Sequence, residues 1–118
     1  DMFEKLQRFK NYKPIRILSS VAPKPAQVAT RIGHLFKTRV ELFSALTAGK
    51  DGLQKNAVYS LAKADRKLGV LIFVTHTPIV RMSREIFYGK INGVSRPEPI
   101  DVVSGDIIHI FGTSISKL

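Results

Sequence analysis

Three histidines are the first residues to weigh for chemistry. His34, His76 and His109 lie on three separate stretches, so a catalytic or metal cluster needs folding to bring them together with carboxylates. Neither H-x-x-x-H nor H-E-x-x-H spacing occurs. His76, in "THTP", is the most site-like, because hydroxyls flank it at a turn. The plainer reading of each is a solvated or singly hydrogen-bonded histidine. Ser44, Ser60 and Ser83 have no nucleophile-elbow or general-base pattern around them. "TAGKDG", residues 47–52, offers Lys50 to a phosphate at a helix N-terminus. It lacks G-x-x-x-x-G-K-[ST] and follows a helical pattern, so it reads as an interhelical turn. The absence of cysteine removes thiolate metal sites, disulfides and cysteine nucleophiles. The expectation is a non-catalytic protein with no cofactor, metal or small-molecule substrate.

Charge points elsewhere. The chain has 19 Lys and Arg against 9 Asp and Glu, a formal net charge of +10. Residues 1–40 hold nine basic and two acidic residues; residues 41–118 hold ten and seven. A field of that sign attracts polyanions, whether RNA, DNA or an anionic membrane surface. Two groups of cations are the candidate contacts. Lys5, Arg8, Lys10, Lys13, Arg16 and Lys24 form an arm or edge, and Lys55, Lys63, Arg66 and Lys67 form a helix face. Each phosphate contact would release counterions. Phe9 and Tyr12, inside the basic arm, either stack bases or pack onto the core with Phe3. No helix-turn-helix, zinc-finger or RNP signature is present, so nothing supports sequence-specific readout.

These residues need elements to hold them. At 118 residues, 44% hydrophobic and 24% charged, the chain suits one globular domain. Phe3, Leu6 and Phe9 space a short amphipathic helix or a basic arm that orders on a partner. "PIRILSSV", residues 14–21, reads as a strand. From 26 to 48, Val28, Ile32, Leu35, Phe36, Val40, Phe43 and Leu46 recur at helical spacing. Asp51 and Gln54 make a capping-box-like pair before a stripe of Leu53, Ala57, Leu61, Ala64 and Leu68. "VLIFVTH", residues 70–76, is apolar on successive residues, as in a strand covered on both faces. "IVRM" continues as a short strand, and 84–91 is a strand or a last helical turn. "PIDVV" and "IIHIF" are strands either side of a Ser-Gly-Asp turn. The predicted fold is α+β: a two-layer sandwich, with a helical hairpin packed on a mostly antiparallel sheet of four to five strands. Residues 1–13 form a basic N-terminal arm and 14–118 a single domain.

One stretch carries a resemblance. "YGKINGVSRPEPIDVVSGDIIHIFG", residues 88–112, has a glycine, a basic residue, an Asn-Gly turn, a Pro-flanked strand and then "V-x-x-G-D-I-I-x-I". It resembles the tail of the ribosomal-protein-type small RNA-binding domain, and also the end of a TGS domain or a sulfur-carrier β-grasp protein. It covers about 25 of 118 residues. The first resemblance implies RNA binding. Two departures stand against it. Pro78 and "VLIFV" occupy the place of the basic helix that precedes that motif, and the chain ends in "SISKL" without the reactive Gly-Gly of the carriers.

The functional expectation is a basic protein that binds nucleic acid, RNA above all, through phosphate contacts of the arm and the 55–67 helix face. The alternative is a self-associating structural protein, like a viral matrix or coat protein, in which Phe3, Leu6 and Phe9 bind an anionic membrane while exposed sheet edges make homo-oligomers. The lack of cysteines and of an apolar leader suits a reducing compartment such as the cytoplasm, an organelle or a virion. Asp1 ahead of Met2 leaves a removed targeting segment open.

Overall fold

The structure, a computed structural model, describes residues 2–47, 53–64, 69–88, 98–111 and 114–118. Its centre is β1 (Ile15–Ser19), whose apolar residues alternate between two faces. Ile17 packs with Leu6, Ala29, Ile32 and Phe36 on one side. Leu18 packs with Leu46, Val58, Ile79 and Ile86 on the other. Both Ile17 and Leu18 are fully buried, as expected of a parallel strand covered on both faces.

The chain leaves β1 into α2 (Pro23–Phe36). Pro23 occupies the first helical position, where its fixed φ suits the helix and its missing N–H costs nothing. Lys37, in the left-handed region at φ 53°, ends the helix by donating its N–H to the Gly33 and His34 carbonyls. The chain then doubles back tightly over Gly33. A Cβ there would lie 2.8 Å from the Thr38 carbonyl oxygen and 3.0 Å from Val40 Cγ2. This return delivers β2 (Val40–Leu42), which pairs parallel to β1 with Ile17 opposite Val40. A 3-10 turn, Ser44–Leu46, and α3 (Leu53–Ala64) follow. β3 (Val70–Val74) then lies along the other side of β1, also parallel, with Ile17 opposite Ile72. The order is β2-β1-β3.

After β3 come α4 (Thr77–Arg81) and a single π-helical turn, Arg84–Tyr88. An extended stretch anchors Ile100 by its N–H to the Arg81 carbonyl at 2.9 Å. β4 (Ile108–Phe111) and β5 (Ser114–Lys117) form a separate antiparallel pair. Ahead of β1, α1 (Met2–Leu6) and the 3-10 turn Gln7–Phe9 place Leu6, Phe3 and Phe9 against the first core cluster. The arm segment is thus helical and seated on the domain.

Mixed helix and strand is borne out, but the expected sheet is not. Instead of one mostly antiparallel sheet of four to five strands, the described residues form a three-stranded parallel sheet and a two-stranded antiparallel one. Helices cover both faces of the parallel sheet, giving three layers. The helical hairpin fails for a physical reason. Phe36 and Val40 pack in the first cluster, whereas Phe43 and Leu46 pack in the second. Their helical spacing is a coincidence of a helix, a three-residue strand and a 3-10 turn. "IVRM" is helical rather than a strand, and "PIDVV" forms no ladder. The strands at 14–21, 70–76 and 107–111 and the Ser-Gly-Asp turn are as expected; Asp106 closes that turn by accepting the Val103 N–H at 3.0 Å. The Asn92-Gly93 turn and the Asp51 cap lie outside the described residues.

Because Leu18 is fully buried at the middle of the central strand, Leu18→Ala is expected to cost about 2–5 kcal/mol, the transfer of the lost side-chain carbons plus the cavity left behind. Urea unfolding should show a lower midpoint at unchanged slope.

Candidate functional site

A strand order of 2-1-3 has one point where direction reverses. From β1 the chain crosses to one side to make β2, and later to the other side to make β3. At the C-terminal ends of these strands the connections leave in opposite directions, the region where open parallel sheets bind ligands. Each strand delivers a polar group there. Ser20 follows β1, His76 follows β3, and Thr47 follows the turn after β2.

The backbone ladder runs up to this point. Ser20 donates its N–H to the Val74 carbonyl at 2.8 Å, and the Ser19 carbonyl accepts the Phe43 N–H at 2.8 Å. Ser20 Oγ then lies 2.9 Å from His76 Nε2 and 2.9 Å from Thr47 Oγ1, and accepts the Ala22 N–H at 3.1 Å. Thr47 Oγ1 also accepts the Val21 N–H at 3.3 Å. Thr75 Oγ1 donates to the Leu46 carbonyl at 2.5 Å, tying the β3 end to the turn that carries Thr47. Ser20 is fully buried and His76 is half-buried.

This arrangement assigns roles. Ser20 Oγ is enclosed and meets three partners, so it is unsuited to attack a ligand; it positions the imidazole. His76 supplies the cluster's imidazole, whose ring nitrogens can donate or accept a hydrogen bond. The α2 N-terminus opens at the same end, but Pro23 and Pro25 remove two of its N–H donors, and the Ala22 N–H goes to Ser20. The Lys24 N–H and the exposed Lys24 side chain are what that terminus offers an anion.

Those expected contact residues that the structure describes stand in different settings. Lys5 Nζ donates to the Leu118 carbonyl oxygen at 2.9 Å. Arg8 sits over the Phe9 ring at 5.8 Å, and Lys10 and Lys13 are exposed. Arg16 holds Glu41 with two hydrogen bonds, 2.6 Å and 2.9 Å, clamping β1 to β2. Lys24 follows the end of β1 opposite to the one that Lys13 precedes. On α3, Lys63 lies over the Tyr59 ring at 5.4 Å. The Lys55 side chain, Arg66 and Lys67 lie outside the described residues, as does most of "TAGKDG". Of the other histidines, His34 is exposed on α2 and His109 lies against Phe9, ring centroids 5.0 Å apart and planes tilted by 57°. Among the described residues no group of three or more His, Asp or Glu is placed to hold a metal ion, and no helix is long and apolar enough to cross a membrane.

Reading the sequence picked out His76 and missed Ser20 and Thr47. The available signal was positional: each directly follows an apolar run, in "IRILSS" and "LFSALT". Comparisons of the chain with family models, with curated proteins and with solved structures find no match.

The Arg16 clamp yields a pH dependence. Its hydrogen bonds hold the Glu41 carboxyl below its ordinary 4.5, against an opposing push from burial, with Arg16 and Arg39 charges adding to the lowering. A depressed carboxylate stabilises the fold above its ordinary pKa, and that contribution is lost as pH falls through the depressed value. Glu41→Gln should therefore be less stable than the parent at pH 7, and the gap should narrow as pH falls below 4.5 and through the depressed value, read by thermal unfolding across pH.

Proposed function

We propose that the C-terminal edge of the parallel sheet binds a small phosphate-bearing ligand, with Lys24 and His76 as its polar partners. The observation that carries this is the meeting of Ser20, Thr47 and His76, delivered by three separate strand ends at the reversal point of the sheet. Polar groups converging at such a point are the usual mark of a ligand site. The ligand's charge follows from its surroundings: a helix N-terminus, a free lysine beside it and a chain of net charge +10. The test is NMR titration of the full chain with inorganic phosphate. A saturable shift of the His76 ring signals is expected, abolished in His76→Ala and weakened about tenfold in Lys24→Ala, the loss of one charge-assisted contact. Phosphate binding that ignores both substitutions would overturn the reading.

The charge supports a second reading, the binding of nucleic acid as a polyanion, with RNA favoured. Lys10, Lys13, Lys24, Lys37 and Arg39 are all exposed, and a shallow cleft of about 570 Å³ carries His34, Lys37 and Arg39. Binding of labelled single-stranded RNA should fall with salt at a log–log slope near −4, about six phosphate contacts at roughly 0.7 each. Lys10→Ala with Lys13→Ala should flatten it by roughly 1.4. A protein that ignores RNA but binds anionic vesicles and self-associates would instead fit a membrane-bound assembly role.

A further inference from the structure

We infer that a chain of four rings, exposed at Tyr12 and Phe111 and half-buried at Phe9 and His109, forms a stacking platform for the bases of single-stranded RNA. The inference rests on the nucleic-acid reading and adds where and how bases are held. The rings run in a chain. Tyr12 lies 6.3 Å from Phe9, Phe9 lies 5.0 Å from His109, and His109 lies 6.3 Å from Phe111, centroid to centroid. Two distant segments supply them, the turn after α1 and strand β4.

The ends of the chain are open. Phe111 is 77% exposed and Tyr12 58% exposed. Phenylalanine at that exposure forgoes the burial its ring would ordinarily gain. The strand register explains how the rings stay uncovered. In the antiparallel pair, His109 faces Ser116 and Phe111 faces Ser114, both exposed. Directly opposed residues share a face, and serine is too small to cover a ring.

Charge selects the occupant. No acidic residue occurs between Glu4 and Glu41, nor from 107 to 118, so both segments that build the platform are free of carboxylates. Arg8 already lies over the Phe9 ring, and Lys10 and Lys13 are exposed in the same segment. Ring faces beside cations suit a chain of planar bases on a phosphate backbone. An apolar peptide would leave those cations without partners.

The test uses the full chain, a labelled oligouridylate, heparin as a polyanion without bases, and anionic phosphatidylserine vesicles. Phe111→Ala and Tyr12→Ala should each weaken oligouridylate binding roughly tenfold. The salt slope should stay unchanged, because no phosphate contact is lost. Heparin binding should be unaffected. Phe111→Trp should restore RNA affinity and show fluorescence quenching on binding. Equal RNA affinity in parent and Ala variants would overturn the platform while leaving the polyanion reading in place. Vesicle binding lost in Phe111→Ala with RNA binding unchanged would overturn it in favour of lipid insertion. Absence of RNA binding at low salt would overturn both.

Discussion

Everything in this molecule depends on satisfying β1 from both sides. It is the middle strand of a parallel sheet, so its N–H and C=O groups must be matched by β2 on one edge and β3 on the other. Ile17 and Leu18 are fully buried on opposite faces, so both faces need covering layers. Parallel pairing in turn forbids short hairpins. The chain has to travel back along the sheet twice, and those journeys are α2 and α3. Each return leaves its loop at the same end of the sheet. Polar residues that begin those loops are brought together without any further device, and this is how Ser20, Thr47 and His76 come to share hydrogen bonds.

The reach of sequence reading follows from the same constraint. β1 and β3 were legible because each is a short β-branched run, and "VLIFV" correctly signalled cover on both faces: Leu71 and Phe73 pack in one cluster, Ile72 and Val74 in the other. The helix after "APKPA" was legible from its prolines, though it begins at Pro23 rather than 26. The parallel topology was not legible, because the strand that reveals it, β2, is three residues long. Val40, Phe43 and Leu46 continue the helical spacing of α2 while pointing into two different clusters, and periodicity cannot tell one face from two. The site was half legible. His76 stood out by its flanking hydroxyls. Ser20 and Thr47 lie 27 residues apart and meet only through the crossover. Arg16 illustrates the converse: charge counting marks it as a contact, but Glu41 engages it with two hydrogen bonds.

Positive charge is distributed by this fold into several settings. Some cations are engaged structurally, as with Arg16 on Glu41 and Lys63 over Tyr59. Others stand free at opposite ends of β1. Lys24 accompanies the Ser20, Thr47 and His76 cluster, whereas Lys10 and Lys13 accompany the exposed rings. A small anion and a long one would therefore meet different faces of the domain, and the two need not compete.

The two prolines that open α2 have a consequence for how this end of the sheet discriminates. A helix start rich in free N–H groups grips any tetrahedral anion through its backbone, with little regard for protonation or shape. Here Pro23 and Pro25 reduce that generic grip to the Lys24 N–H, and Ser20 occupies the Ala22 N–H. In the proposed phosphate site, recognition would fall to side chains that can change state. Ser20 and Thr47 can reverse the direction of their hydrogen bonds by turning two hydroxyls, with no heavy atom moving. The imidazole can thus present either a lone pair or a proton at Nε2 to the same oxygen at low reorganisation cost. The proposed phosphate site, built this way, would select through tautomer choice rather than through fixed dipoles.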